Sequence, residues 1–277
     1  MSLLPATLDA AAKRIFCALD TPDVAIAIAW ADKLGDLVGG VKLGKEFFTA
    51  NGPSGVMAVA LTELPIFLDL KFHDIPNTVA AAVRATSVLR PAMLTVHAGG
   101  GPAMIRAAAE AAEEIAEIFH FPKPKILAVT VLTCLGDEDM PALGISGRVA
   151  DQVTRLGELA HGAGADGVVC APHEAAVMRK TFGPDFILVT PGVRPAGFES
   201  GDQKRVMTPE EALAAGTGAI MVVVVPPFTK SEQGQPAIVA AVFVGGVAAA
   251  AKLMGQRIDG ASGMEKRDGR DEKAPNQ

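Results

Sequence analysis

The densest group of residues that could do chemistry lies in one short stretch, Asp69-Leu70-Lys71-Phe72-His73-Asp74. Side chains two positions apart in a strand point to the same face, so Asp69 and Lys71 share a face and Asp74 follows in the loop. With Lys42 from the preceding apolar run, two ammonium groups and two carboxylates would alternate and keep one another ionised. The same pattern fits a network that only locks the structure, although buried salt bridges contribute little to stability.

The elements that must position these residues are short, almost continuously apolar runs. Segments of helical character alternate with them, for example 23–34, 78–89, 102–119 and 150–163. Apolar runs without polar alternation are typical of parallel strands that are covered on both faces. Eight such strands are predicted, at 14–20, 38–44, 65–71, 93–99, 125–133, 166–172, 186–193 and 219–226.

Eight strands alternating with helices in 277 residues predict an α/β fold, a single-domain (β/α)₈ TIM barrel. The competing fold, a doubly wound open sheet, usually has fewer strands and a glycine-rich first turn, whereas the turn here is Asp20-Thr21-Pro22-Asp23. The predicted organisation is an N-terminal extension at 1–13, the catalytic barrel at 14–253 and a disordered tail at 254–277.

The overall composition favours a soluble, globular protein. The net charge is −6, which argues against a general nucleic-acid binder or a basic membrane-surface protein. Three scattered cysteines, Cys17, Cys134 and Cys170, argue against a disulfide framework and a zinc site and suit the cytoplasm. The longest apolar run, 237–251, is shorter than a membrane span requires. We therefore expect a cytoplasmic protein with no membrane partner and no nucleic-acid partner.

Strands of a barrel deliver catalytic groups at their carboxyl ends. Six of the predicted strands end in polar residues, namely Asp20, Lys42, Asp69 with Lys71, His97, Thr133 and Arg194. A single residue of this kind is often a solvated loop start, and His97 is as compatible with packing as with function. Several charges directed into one barrel mouth favour a functional site, because unpaired buried charge is costly.

Five segments resemble, in order along the chain, the bacterial form of the orotidine 5′-phosphate decarboxylase family. They are FCALD at 16–20, GVKLG at 40–44, DLKFHDIPNT at 69–78, VHA at 96–98 and TPGVRP at 190–195. The resemblance implies decarboxylation of orotidine 5′-monophosphate to UMP and CO₂ in de novo pyrimidine biosynthesis. It also implies that no cofactor and no metal is used, and that a homodimer shares its active sites between subunits.

The resemblance also implies roles for particular residues. Lys71 would donate a proton to C6 of the substrate, Asp69 would lie beside the substrate carboxylate, and Lys42 would complete the array. Asp74 and Thr78 would reach into the partner subunit's site. The implied substrate-binding residues are Asp20 at the ribose hydroxyls, Thr78, Thr133 near the end of strand 5, and Arg194 and Gln203 on the phosphate side.

One stretch departs from the family's pattern. Where the family carries Gly-Arg-Pro after strand 8 and grips the phosphate, this chain reads Val222-Val223-Val224-Val225-Pro226-Pro227. Losing a charge-assisted contact to phosphate would weaken binding. A weakened enzyme, compensation by another cation such as Lys230, and a local sequence error all remain compatible with the stretch.

Other functions fit parts of the pattern. Mg²⁺-dependent sugar-phosphate enzymes of the hexulose-phosphate synthase or keto-gulonate-phosphate decarboxylase type share the DxKxxD strand, although the IPNT and TPGVRP segments argue against them. A barrel that has lost its phosphate grip and its catalysis is a second alternative. A Schiff-base aldolase that uses Lys71 is a third.

Overall fold

The computed structural model describes residues 13–35 and 38–193, together with Ala215, Thr217 and the backbone of 219–223. Eight strands alternate with six α-helices in this part of the chain. The strands are β1 (Ile15–Ala18), β2 (Gly40–Gly44), β3 (Ile66–Phe72), β4 (Met93–His97), β5 (Lys125–Val129), β6 (Gly167–Val169), β7 (Ile187–Val193) and β8 (Ala219–Val223). The helices are α1 (Val24–Leu34), α2 (Lys45–Ala60), α3 (Pro76–Ala85), α4 (Gly101–Phe119), α5 (Val149–Gly162) and α6 (Ala175–Phe182).

Each strand pairs in parallel with its neighbour along the chain, and β8 pairs with β1 to close a barrel. At the closure, Ile15 lies opposite Ile220 and Cys17 lies opposite Val222. The predicted TIM barrel and all eight predicted strands are therefore confirmed. The doubly wound alternative is wrong, because an open sheet has two unpaired edges and this sheet has none.

Two apolar layers explain why the strands are apolar on both faces. The larger layer fills the space between the strands and the helices, and the smaller one fills the barrel interior. Inside the barrel, the rings of Phe16 and Phe67 meet edge to face, with 6.3 Å between centroids. Gly40 makes room for this contact, because a Cβ there would lie 2.6 Å from the Phe16 ring. The filled interior closes one end of the barrel and leaves the other end for polar side chains.

The first loop brings Asp20 to the carboxyl end of the barrel. Helix α1 begins soon after it because Asp23 caps the helix, accepting hydrogen bonds from the amides of Ala25 and Ile26 at 2.8 and 3.1 Å. A side-chain oxygen at this position satisfies amides that have no partner within the helix. The cap thus sets where α1 begins and keeps the loop between β1 and α1 short.

The register between strands β3 and β4 shifts near their carboxyl ends. Leu68 pairs with Leu94, but Phe72 pairs with Val96, so β3 contains two more residues than β4 between these two pairs. Lys71 lies in this interval with a φ of 54°, a left-handed conformation that is uncommon for residues other than glycine. The irregularity is a β-bulge, a feature that often redirects side chains next to active sites.

Several sequence predictions lie outside the described residues. They include most of the extension at 1–13, the last three residues of the predicted strand 8 (224–226), the rest of the barrel beyond 223, and the tail at 254–277. Among the described helices, none is both long enough and apolar enough to cross a membrane.

Candidate active site

A line of alternating charges lies at the carboxyl ends of β1, β2 and β3. The Lys42 Nζ lies 3.1 Å from Oδ1 of Asp20 and 3.8 Å from Oδ2 of Asp69. Lys71 continues the line, because its Nζ donates to both carboxylate oxygens of Asp69 at 2.8 Å. The order is therefore Asp20, Lys42, Asp69, Lys71, and we call these four residues the charge array.

The charge array is buried in its middle and more exposed at both ends. The side chains of Lys42 and Asp69 are only 9% and 7% exposed, whereas those of Lys71 and Asp20 are 27% and 42% exposed. There is little space around the Lys42 ammonium, since a Cβ on Gly44 would lie 3.1 Å from the Lys42 Nζ. The inner pair is thus held in place while the outer residues remain open to a ligand.

Asp69 stays ionised despite its burial. Burial is the largest single influence and by itself raises the pKa, but the charges of Lys71 and Lys42 and the hydrogen bonds from Lys71 and Thr95 outweigh it. The pKa of Asp69 therefore lies below its ordinary value. A carboxylate that stays charged inside the barrel holds the two ammonium groups on either side of it.

Because the folded-state pKa of Asp69 is lowered, its ionisation adds stability above the pKa of the unfolded chain, about 3.9. That contribution is lost as the pH falls through the folded value. We expect Asp69→Asn to reduce the free energy of unfolding at pH 7 by up to about 3 kcal/mol, since it removes the carboxylate that Lys71 contacts and leaves Lys42 with Asp20 alone. Urea unfolding of both proteins should show this difference shrinking below about pH 4. A difference that stays constant down to pH 2.5, roughly a unit below the ordinary value, would contradict the lowered pKa.

Thr95 is a site residue that our sequence reasoning missed. It is fully buried on β4, its hydroxyl donates to Oδ1 of Asp69 at 2.9 Å, and its oxygen accepts from the amide of Lys71 at 2.9 Å. A polar residue in the otherwise apolar run Met-Leu-Thr-Val was the signal that could have found it. Its position two residues before His97 places it on the same face of the strand.

His97 lies at the edge of the charge array. Its ring stacks on that of His73, with 5.0 Å between centroids, and its Nδ1 accepts from the amide of Gly99 at 3.3 Å. Burial lowers the pKa of His97, and its electrostatic interactions with His73, Lys45 and Lys71 lower it further. The imidazole is thus held towards its neutral form.

Of the remaining predicted site residues, Asp74, Thr78 and Thr133 lie in the described part of the chain. Asp74 and Thr78 are exposed, and Asp74 accepts a hydrogen bond from the adjacent amide of Ile75 at 2.7 Å. Among the described residues, Asp74 makes no ion pair. Thr133 is buried but lies four residues beyond β5, because that strand ends at Val129 rather than at the predicted 133. Arg194 and Gln203 lie outside the described residues.

A closed eight-stranded parallel barrel with charged groups at the carboxyl ends of its strands has the architecture of a TIM-barrel enzyme. The sequence profile described as "Orotidine 5'-phosphate decarboxylase / HUMPS family" matches residues 13–224. The chain belongs to this family. The match ends inside the stretch 222–227 that departs from the family's pattern.

Individual relatives agree with this assignment. Orotidine 5′-phosphate decarboxylase of Rhodospirillum rubrum is 54% identical over 209 residues, which cover 75% of this chain and 85% of the relative. The Moorella thermoacetica protein of the same name is 50% identical over 210 residues, covering 76% and 83%. The crystal structure of orotidine 5′-phosphate decarboxylase from Lactobacillus acidophilus is 34% identical with a TM-score of 0.67, covering 84% of this chain and 98% of that one.

Proposed function

We propose that this chain is a carboxy-lyase that converts orotidine 5′-monophosphate to UMP and CO₂ in pyrimidine biosynthesis. The observation that carries the proposal is the charge array, in which a partly exposed ammonium lies next to a buried carboxylate at the barrel mouth. Relatives that are 50–54% identical and bear the name of this activity support it.

The reaction needs this kind of electrostatics. The bond between C6 and the substrate carboxylate breaks, CO₂ leaves, and the electron pair stays on C6 in the plane of the pyrimidine ring. Such a carbanion cannot delocalise into the π system, so a nearby positive charge must stabilise it. In the proposal, the Lys71 ammonium provides that charge and then transfers its proton to C6, which leaves UMP and a neutral amine that solvent reprotonates.

Asp69 has two tasks in the proposed reaction. It holds Lys71 through two hydrogen bonds of 2.8 Å, and it lies where the substrate carboxylate would approach. Two like charges about 4 Å apart repel by roughly 4 kcal/mol at an effective dielectric constant of 20. This repulsion is relieved when the carboxylate leaves as neutral CO₂, so it favours the products.

The outer part of the charge array is suited to bind the sugar. Asp20 is partly exposed and is paired with Lys42, so its second carboxylate oxygen can accept from ribose hydroxyls. We assign Thr133 to the pyrimidine end of the substrate, and Arg194 and Gln203 to its phosphate. Binding energy from the non-reacting phosphate can serve catalysis at the distant C6.

The proposed active form is a homodimer with shared sites. In this assignment, Asp74 and Thr78 complete the site of the other subunit. Their exposure supports this assignment, because a side chain that reaches into a neighbouring subunit must be accessible on the surface of its own chain.

The direct test is absorbance-monitored conversion of orotidine 5′-monophosphate by the purified chain, with no added metal. We expect turnover that EDTA does not reduce, because every group in the proposed reaction comes from the protein. EDTA-sensitive activity on sugar phosphates would instead favour the Mg²⁺-dependent enzymes of this family. No turnover, together with no UMP binding in calorimetry, would favour a non-catalytic barrel. Trapping of a sugar phosphate by borohydride would favour an aldolase that forms a Schiff base at Lys71.

A further inference from the structure

We infer that Thr95 is a positioning residue, whose hydroxyl fixes the backbone of Lys71 and the carboxylate of Asp69 at the same time. The inference rests on the proposed function and adds to it a residue that does not itself touch the reacting atoms. It follows from the β-bulge in β3, from the burial of Thr95 and from the direction of its two hydrogen bonds.

The β-bulge leaves the amide of Lys71 in need of an acceptor. The two extra residues in β3 interrupt regular pairing with β4 between Leu68 and Phe72. A left-handed backbone costs a residue with a Cβ roughly 1–2 kcal/mol. The amide of Lys71 donates to Oγ1 of Thr95 at 2.9 Å, so a side chain of β4 takes the place of a backbone carbonyl. This bond stabilises the conformation that turns the Lys71 side chain towards Asp69.

The second hydrogen bond of Thr95 has a fixed direction. An ionised carboxylate can only accept, so the Thr95 hydroxyl must donate its one proton to Asp69. The same Thr95 oxygen accepts a hydrogen bond from the Lys71 amide. The order of donation is therefore Lys71 amide, Thr95 hydroxyl, Asp69 carboxylate, and successive bonds of this kind strengthen one another.

Asp69 and Lys71 are thereby held at two points. Their side chains meet directly through the Lys71 Nζ, and Thr95 links the backbone of one to the carboxylate of the other. Without Thr95, Lys71 would keep its charge and its salt bridge, but its backbone, from which the side chain extends, would be free to shift. Displacements of about 1 Å in catalytic groups can cost roughly 100-fold in rate.

The test compares Thr95→Val, which keeps the branched shape but removes the hydroxyl, with Thr95→Ser, which keeps the hydroxyl. We expect Thr95→Val to lower kcat by roughly 10- to 100-fold, the range for losing a hydrogen bond to a charged group, and to change KM by much less. Thr95→Ser should restore most of kcat. Thr86→Val is the matched control, because Thr86 is also buried but donates to the carbonyl of Val83, away from the charge array.

A second measurement does not depend on activity. Hydrogen exchange of the Lys71 amide, followed by NMR, should be slow in the wild type, at least about tenfold faster in Thr95→Val, and slow again in Thr95→Ser. This measurement on the wild type and on Thr95→Ser also decides the matter if Thr95→Val does not fold. Fast exchange of this amide in the wild type would overturn the inference.

The kinetic outcomes separate the inference from the proposed function. A wild type without turnover of orotidine 5′-monophosphate contradicts the proposed function, and the role of Thr95 in catalysis fails with it. A wild type with turnover and a Thr95→Val variant with unchanged kcat contradicts the inference alone. A loss in Thr95→Val that Thr95→Ser does not restore would show that the methyl group matters rather than the hydroxyl, and it would also overturn the inference.

Discussion

Lys71→Ala is expected to abolish decarboxylation while the barrel remains folded. The variant loses both the charge that stabilises the carbanion and the proton that converts it to UMP, so kcat should fall by at least about 10³-fold. The fold should persist because Asp69 keeps Lys42 at 3.8 Å and the hydrogen bond from Thr95. The measurement is the absorbance assay together with circular dichroism and urea unfolding of the same preparation.

Lys125→Ala provides the control for Lys71→Ala. Lys125 begins β5 at the opposite end of the barrel, where its Nζ lies 3.0 Å from Oδ1 of Asp166. It should retain kcat because it is far from the charge array. A Lys71→Ala variant whose turnover stays within about tenfold of the wild type would refute the role of Lys71 as the proton donor.

The second large effect is expected from mixed subunits. Lys71→Ala and Asp74→Ala should each be almost inactive alone, because every site in either homodimer lacks one residue. In a mixed dimer, one site combines the intact Lys71 of one subunit with the intact Asp74 of the other. Unfolding and refolding equal amounts together should therefore restore about a quarter of the wild-type activity, since half of the dimers are mixed and each has one complete site.

The matched control mixes Lys71→Ala with Asp69→Ala. Both residues belong to the same strand and lie in the same subunit's charge array, so each subunit of this mixed dimer has a damaged site. No activity should return. Shared sites would be contradicted if dimers verified by mass spectrometry to contain both Lys71→Ala and Asp74→Ala stayed inactive.

The sequence was sufficient to predict the barrel. Strands buried on both faces produce uninterrupted apolar runs, and eight of these runs separated by helices admit few other folds. It was also sufficient to predict that Asp69 and Lys71 share one face of the strand, because the two-residue period of a strand is a local property. The strand bounds were predicted less accurately, since β5 ends four residues earlier than the apolar run suggests.

The contacts between strands could not be predicted in the same way. The pairing of Asp20 with Lys42 and the hydrogen bonds of Thr95 depend on how neighbouring strands are aligned, and that alignment is set by packing across the barrel. No local pattern indicates the two extra residues in β3 or the left-handed conformation of Lys71. The roles proposed for Asp74 and Thr78 require a second subunit, and their contacts would then depend on how two chains pack against each other.

The offset between β3 and β4 has a consequence for protein engineering. A designer who grafts Lys42, Asp69 and Lys71 onto a regular host barrel would reproduce the residue types but not their geometry. The host's third strand would also need two additional residues, and its fourth strand would need a hydroxyl opposite them. The transferable unit is therefore a pair of mismatched strands rather than a set of side chains.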